Sequence, residues 1–338
     1  MKRPLALSLA LLLLLSGCTP QPEEYSRDTF AMDTIMSLSA YGPKAQDGVE
    51  AAIGEINRLQ KLLSVTDEDS EVWKLNHGNG APLSVSEDTR TLLDAAAQMG
   101  ERSGGALDVT LYPVTRAWGF TTGSYQVPGP AVLQELLTHV DYRAILREGD
   151  TVTLPQGTEI DFGALAKGYA GERCALLMKD MGITSALLSL GGNIQTVGAR
   201  PDGSPWRVLV QDPKGDGGDY VGTLELVDQA AVTSGGYQRY FEEDGVRYWH
   251  IIDPATGAPA RSGLQSVTIV GTSGTACDGL STALFVLGRD GAVNYWRQYG
   301  GFEAVLVDDS DTVWITAGLA DKFTLNNDAG YTLRIVEE

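Results

Sequence analysis

Cysteine and histidine are scarce in this chain: 338 residues carry only three of each. Cys18, Cys174 and Cys277 are too few and too far apart for the disulfide framework of a small exported domain. His77, His139 and His250 have no second histidine or cysteine at ligand spacing, which argues against a dedicated zinc site. Positive charge is also short, with 25 lysines and arginines against 44 aspartates and glutamates and a formal net charge of −19. That balance argues against nucleic acid as a partner and against general affinity for anionic lipid. It also means that an anionic ligand needs a local source of positive potential, from a lysine, a metal ion or backbone N–H groups. There is no internal repeat and no low-complexity tract, and no apolar run reaches the ~20 residues that cross a bilayer as a helix.

What is present begins with a leader. Lys2 and Arg3 precede a short apolar stretch, Leu5 to Leu15, and Leu15-Ser16-Gly17 then runs into Cys18. The short apolar stretch suits an export signal, and the Leu-Ser-Gly-Cys string resembles the lipobox of bacterial lipoproteins. Residues 1–17 are therefore read as a signal peptide and Cys18 as the lipidated new terminus. The alternative is a plain secretory signal with an incidental cysteine. Thr19 to Asp28, with two prolines and two glutamates, reads as a polar tether. Two acyl chains on Cys18 would hold the protein at the outer, extracytoplasmic face of a cell membrane. Residues 29–338 remain for one large domain or two intimately joined ones.

Apolar residues at helical spacing (Val49, Ala52, Ile53, Ile56, Leu59, Leu63) predict an early amphipathic helix. A second is expected from Ser86 through Met99 to the stop at Gly104-Gly105, a third over Ala164–Met181, and a fourth containing Leu280–Leu287. Strand-like runs lie at Ala186–Leu190, Trp206–Gln211, Val221–Val227, Val267–Val270, Ala304–Val307, Val313–Thr316 and Leu333–Val336. Tyr237–Glu242 and Val246–Ile252 flank Asp244-Gly245, a strong hairpin signal. Hairpins with interspersed helices and no regular βαβ rhythm indicate an α+β fold with mixed and antiparallel sheets. Cys174 and Cys277 fall in apolar helical contexts and read as buried free thiols.

Two polar islands interrupt this pattern. Asp278 and Thr282 stand four apart on an apolar helix, so both aim an oxygen to one side. Far upstream lies Asp161-Phe-Gly-Ala-Leu-Ala-Lys167-Gly168. Two oxygens beside a lysine suit a hard cation next to phosphate better than zinc or iron. Glycine supplies 40 of the 338 residues, about 12% against a usual ~7%. Several glycines cluster at strand ends, as in Gly191-Gly192-Asn193 and Ser234-Gly235-Gly236, which favours a ligand site lined by backbone. Each signal has an ordinary reading beside it. Asp278 could be a helix cap, Asp108 and Asp161 turn or cap aspartates, Met32 a core methionine, and His250 a structural histidine held by a carbonyl. Thr233-Ser234-Gly235 could contact phosphate or shape a turn.

The order of the blocks resembles the ApbE family of FAD:protein FMN transferases over nearly the whole chain after the leader. The resemblance rests on Met32-Asp-Thr34, Leu63-Ser64 with Ser70-Glu71 and Asn76, and Gly105-Ala-Leu-Asp108-Val-Thr110 with Trp118-Gly119-Phe120. It continues through the Asp161–Tyr169 block, Gly191-Gly-Asn193, Thr233-Ser-Gly235, His250-Ile-Ile-Asp253-Pro with Thr256-Gly257, and Asp278…Thr282. It implies a T-fold-like architecture and magnesium-dependent transfer of FMN from FAD to a threonine or serine hydroxyl of an exported acceptor protein, releasing AMP. It also implies magnesium ligands at the Ala164 carbonyl, Asp278 and Thr282, and FAD contacts from Met32, Ala106, Leu107, Asp108, Asp161, Lys167 and Ile252. Asp278 and His250 would serve the reaction itself. The acceptors it implies are flavin-bearing subunits of sodium-pumping or other electron-transfer complexes. Two alternatives use the same site: an FAD pyrophosphatase giving FMN and AMP, and a non-catalytic flavin-binding lipoprotein. Three positions depart from the family pattern. Asp33 replaces a glycine, Glu172 replaces an aspartate, and Val65-Thr66 replaces a segment that often carries an aromatic residue.

Overall fold

The computed structural model describes residues 22–337; Cys18 and the leader lie outside the described residues. The described chain opens with strands β1 (Glu24–Ala31) and β2 (Thr34–Tyr41), then helices α1 (Ala45–Leu63) and α2 (Glu71–Asn76). There follow β3 (Leu83–Ser84), α3 (Glu87–Arg102), α4 (Tyr112–Ala117), α5 (Pro130–Leu137), β4 (Leu146–Glu148), β5 (Thr151–Thr153) and α6 (Ala166–Asp180). The second half is mostly strand: β6 (Ala186–Leu190), β7 (Asn193–Val197), β8 (Trp206–Gln211), β9 (Tyr220–Leu226), β10 (Ala230–Gly235), β11 (Tyr240–Glu243), β12 (Val246–Trp249) and β13 (Leu264–Gly271). Helix α7 (Gly274–Tyr299) leads to β14 (Glu303–Asp308), β15 (Thr312–Thr316), β16 (Phe323–Leu325) and β17 (Thr332–Val336).

One nine-stranded sheet organises the fold, in the order β1-β2-β6-β7-β10-β13-β14-β15-β17. Its pairs are antiparallel except the last, β15 with β17. Helices α1, α6 and α7 cover one face. Alternate residues of β2 and β6 (Met36, Leu38, Ala40; Ala186, Leu188, Leu190) point into that layer, against Val49, Ile56 and Leu59 of α1 and Cys174 and Met178 of α6. Val267 and Ile269 of β13 meet Leu280, Leu284 and Phe285 of α7 on the same side. The three-stranded sheet β16-β9-β8 covers part of the other face, where Val210 and Leu224 pack with Val270, Val305 and Val307. Strand β13 is apolar along consecutive positions because both of its faces are buried. The fold is α+β, as the hairpin-rich pattern predicts.

The differences from the sequence reading have local causes. The tether expected to reach Asp28 gives way at Glu24 to β1, which pairs with β2 from Glu24↔Tyr41 to Ala31↔Thr34. Its polar residues disguise it because β1 is an edge strand with one solvent-facing side. Ala164 and Leu165 sit in a turn, and the third helix starts only at Ala166. Thr233-Ser234-Gly235 is the end of β10 rather than a turn. Helix α7 is far longer than its apolar run, but Gly288 breaks its regularity with φ +72° and ψ 178°, one residue after that run ends. Cys174 and Cys277 are buried free thiols.

All parts of the candidate site lie at one end of the large sheet. The β1–β2 turn, the β6–β7 turn and the end of β10 meet there, because β2 pairs with β6 at Met36↔Leu190 and β10 pairs with β7 at Val232↔Asn193. Helix α6 crosses α7 at the same end through two glycines. A Cβ on Gly168 would lie 2.2 Å from the Gly274 carbonyl oxygen and 2.6 Å from Asp278 Cβ, and one on Gly274 would lie 2.5 Å from the Gly168 carbonyl. Gly168→Ala should therefore cost about 2–3 kcal/mol in chemical denaturation, because backbone on both sides blocks relaxation. Gly54→Ala, on the exposed face of α1 with no atom within 4 Å of the new Cβ, should stabilise by about 0.5–1 kcal/mol. Equal effects at the two positions would disprove the close crossing.

Candidate active site

The crossing of α6 and α7 fixes the central carboxylate. Glu172 of α6 accepts at Oε2 from Ser273 Oγ (2.8 Å), Thr275 N (3.1 Å) and Thr275 Oγ1 (2.8 Å), which pins the first turn of α7 onto α6. Ser273 caps α7 by accepting from Ala276 N. Asp278 therefore lies beyond the capping positions, and the cap reading of this residue fails. Its side chain reaches across to α6 instead, where Oδ2 accepts the Gly168 N–H at 2.8 Å. Asp278 is only 4% exposed. Desolvation pushes its pKa up, against the Lys167 charge, the Gly168 N–H and the nearby Asn193 amide. Asn193 Nδ2 is itself buried and makes no hydrogen bond of ordinary length, so a donor stands free beside the carboxylate.

A continuous helix would send the Gly168 N–H to the carbonyl of Ala164, four residues back. Asp278 takes that N–H, and the Ala164 carbonyl is left without it. Thr282 lies one turn beyond Asp278, with Oγ1 3.2 Å from Ser234 Oγ; Ser234 Oγ also lies 2.8 Å from Ser281 Oγ. A free carbonyl, a carboxylate and a hydroxyl of this kind fit a hard, oxygen-preferring cation. No group of three or more His, Cys, Asp or Glu side chains that could hold a metal occurs among the described residues.

Two unpaired cations lie in this region. Lys167 lies one residue before Gly168, and its charge acts on Asp278, Asp161 and His250. Arg239, just before β11, acts on Asp161 and His250. Neither cation forms an ion pair among the described residues. In a protein of net charge −19, two unpaired cations that act on the same two groups, Asp161 and His250, favour an anionic ligand. Asp161 accepts the Gly163 N–H at 2.7 Å, and burial raises its pKa. His250 follows β12, with Nδ1 3.2 Å from the Arg239 carbonyl. That carbonyl requires a proton on Nδ1 and leaves Nε2 with a free lone pair. Desolvation, with the Lys167 and Arg239 charges adding to it, lowers the His250 pKa to about 4, so the ring is neutral at physiological pH.

The other expected contacts are placed less directly. Asp108 caps a short turn. Its Oδ1 accepts from Thr110 N (2.8 Å) and Thr110 Oγ1 (2.6 Å), and its Oδ2 accepts from Tyr142 N (3.1 Å). Each oxygen thus has a structural partner and Oδ2 keeps a further acceptor site, while the Asp161 N–H donates to the Val109 carbonyl and holds this segment beside the site. Ala106, Leu107 and Ile252 bury their side chains, and Ile252 packs with Trp118 and Phe120 in an aromatic cluster under the β11–β12 hairpin. Only their backbone is left to face a ligand. Met32 is half-buried against the helix layer. It and Asp33 form the two-residue turn between β1 and β2, both with positive φ (48° and 60°). The Met32 N–H donates to Gln60 Oε1 at 2.5 Å.

Sequence reasoning gives no role to Arg239, Asn193 or Ser281. Arg239 lies between two strands with nothing local to distinguish it from a solvated arginine. Asn193 stood inside a recognised Gly-Gly-Asn block, which was the available signal.

Comparison with known proteins agrees with this geometry. The model of the ApbE family matches residues 32–306. The FAD:protein FMN transferase of Treponema pallidum is 35% identical over 327 residues, covering 90% of each chain. That of Vibrio cholerae is 33% identical, covering 84% of this chain and 87% of its own. Among solved structures, the ApbE protein of Thermotoga maritima superposes with a TM-score of 0.80 at 34% identity, covering 85% of this chain and 95% of that one. The flavin transferase ApbE of Vibrio cholerae gives 0.78 at 26% identity, covering 90% and 97%.

The electrostatics give a direct test. In the ligand-free protein, NMR titration of the His250 ring should give a midpoint near 4. Lys167→Met should move that midpoint upward, because it removes a charge that opposes protonation. A midpoint near 6.5 in both proteins would place the ring in open solvent.

Proposed function

The chain belongs to the ApbE family, and we infer that its site performs the reaction its relatives are named for. It is an FAD:protein FMN transferase: it takes FMN from FAD and attaches it to a protein acceptor. The observation that carries this reading is the Asp278 carboxylate held on the Gly168 N–H with Lys167 unpaired beside it, while Arg239, also unpaired, acts with Lys167 on Asp161 and His250. A buried carboxylate in the same region as two unpaired cations matches a diphosphate that is to be attacked by a hydroxyl.

In the transfer, the hydroxyl oxygen of an acceptor threonine or serine forms a bond to the FMN phosphorus. The bond from that phosphorus to the bridging oxygen breaks, and AMP leaves with the bridging oxygen. Lys167 and Arg239 hold the diphosphate and stabilise charge that builds on its oxygens. Asn193 Nδ2, a buried donor with no partner, gives a further hydrogen bond to the same group. His250, held through Nδ1 by the Arg239 carbonyl, keeps Nε2 as an acceptor for a ligand N–H or O–H other than the reacting one. The hydroxyl proton passes to Asp278, at the oxygen that Gly168 does not use; burial makes this carboxylate a stronger base than an exposed one. Met32, Asp161 and the backbone of Ala106, Leu107 and Ile252 surround the cofactor, and Asp108 shapes the loop that carries two of them.

We propose magnesium as the partner of the three oxygens, from the Ala164 carbonyl, Asp278 and Thr282. What supports it is a hard donor set with one carbonyl freed from helix bonding. When bound, such an ion would neutralise diphosphate charge. We also propose that Cys18 carries the lipid anchor at the extracytoplasmic face, and that the acceptors are exported flavin-bearing subunits of redox complexes. The lipobox-like Leu15-Ser16-Gly17-Cys18 string supports the anchor.

Incubation with FAD, Mg²⁺ and an acceptor subunit tests the whole reading. Covalent flavin on the acceptor with one AMP per adduct is expected, whereas FMN and AMP without adduct would make the protein a pyrophosphatase. Asp278→Asn should lower the transfer rate about a hundredfold or more while the protein stays folded. Lys167→Ala and Arg239→Ala should each weaken FAD binding about tenfold, the loss of one charge-assisted contact; an unchanged dissociation constant would remove that side chain from the phosphate. Cys18→Ser should move the protein from the membrane fraction to the soluble one, and unchanged fractionation would rule out the anchor.

A further inference from the structure

The tip of the β1–β2 hairpin exposes apolar side chains next to the site. Phe30 is 69% exposed and Ile35 68%, and the two are direct cross-strand partners. The turn between the strands has two residues, Met32 and Asp33, so Ala31 and Thr34 form its hydrogen-bonded pair. Phe30 and Ile35 then form the non-hydrogen-bonded pair next to it, in which side chains stand closest together. The two make one continuous apolar surface on the face of the sheet away from the helices. The β16-β9-β8 sheet covers that face farther along, and its margin reaches only the half-buried Tyr41, Leu187 and Ile194. Among the described residues nothing covers the tip.

This tip is continuous with the reaction site. Thr34 packs so tightly on the β6–β7 turn that a Cβ on Gly191 would lie 2.3 Å from Thr34 Oγ1. Asn193, the free donor beside Asp278, is two residues further on. The charge of Asp33 is felt by Asp161, so the turn faces the same space. β1 is also the outermost strand of the sheet. With Ala31, Thr29 and Arg27 bonding to β2, the backbone N–H and C=O groups of Ser26, Asp28 and Phe30 point outward, away from β2.

We propose that the β1–β2 tip is the docking surface for the acceptor protein: an extended acceptor segment lays an apolar side chain on Phe30 and Ile35 and carries its hydroxyl over the Met32–Asp33 turn to the site. The inference rests on the transferase reading above and names the partner surface for it. Extended backbone suits a free strand edge, where main-chain groups bind without regard to sequence and side-chain contacts select. The distance sets a register. From β1 or β2 to β7 is two or three strand spacings, roughly 10–14 Å at about 4.8 Å each, which three to five extended residues cover. The anchoring apolar residue thus lies three to five positions from the modified threonine or serine. Asp28 and Asp33 flank the patch, so the neighbouring acceptor positions are neutral or basic.

The test uses the double variant Phe30→Ser/Ile35→Ser and, as acceptor, the soluble domain of an exported flavin-carrying subunit of a sodium-pumping complex. Both substitutions are on the surface, so the fold should be unaffected, which a thermal melt checks. The expected result is a rise of about tenfold or more in KM for the acceptor, with the FAD dissociation constant within twofold of the parent. An unchanged KM overturns the proposal. So does a parallel loss of FAD binding, which would make the pair a cofactor contact. A parent that is dimeric and a variant that is monomeric would assign the patch to a second copy of this chain, and also overturns it. A parent that forms no adduct removes the transferase reading itself, and this inference falls with it; that outcome is separate, because it appears before any variant is made.

Discussion

The hydrogen bond from the Gly168 N–H to Asp278 is the contact on which the rest of the site depends. It exists only because two helices approach at backbone distance, with glycine on both sides of the crossing. The same bond does three things. It orients the buried carboxylate, it takes up an N–H that α6 would otherwise keep within its own helix, and it frees the Ala164 carbonyl. Glu172 sets the height of the crossing by capping α7 through Ser273 and Thr275, so the register of Asp278 is decided a turn and a half before it. The longer glutamate is well suited to this because one carboxylate oxygen receives three donors.

Electrostatics explain how an acidic protein holds an acidic ligand. The carboxylates elsewhere are largely solvated or paired, as in the Arg58–Glu55–Asp88 group on α1 and α3. At the site the balance is reversed: Lys167 and Arg239 are left without partners, and the carboxylates beside them are buried enough to disfavour their charge. An anion therefore gains most of its attraction at one place, while the net charge of −19 repels it elsewhere. The low His250 pKa belongs to the same field, since both cations work against a charge on that ring.

Much of this was legible in the sequence, for identifiable reasons. The amphipathic run from Val49 to Leu63 states its helix directly because it buries a single face, and Ala186–Leu190 reads as a strand because it is a short apolar run. Asp278 and Thr282 showed as polar residues on an apolar helix. Strand β1 was hidden because its outer positions are Ser26 and Asp28, polar as an edge requires, and β10 because Thr233-Ser234-Gly235 has the composition of a turn. Asp108 stands in a recognisable block, and the packing adds that Thr110 and Tyr142 donate to its two oxygens, with one acceptor site left on Oδ2. Local pattern shows which residue types are present; only the packing shows whether their hydrogen-bonding capacity is already used. Arg239 is the converse case, an unremarkable arginine in sequence whose importance comes from lacking a carboxylate partner.

The β1–β2 turn combines these constraints. A two-residue hairpin turn with positive φ at both positions favours asparagine and glycine, and methionine and aspartate there carry strain of about 1–2 kcal/mol each. Asp33 tolerates the left-handed region better than most residues, since its short polar side chain can bond locally. Met32 has no such relief, and the Gln60 contact to its N–H holds it in place from α1. A turn built only for stability would not put methionine in the left-handed position. The arrangement is intelligible if the thioether must reach inward to a ring system while Phe30 and Ile35 face outward. On the proposed reading, one strained turn would serve the cofactor on its inner side and the acceptor on its outer side.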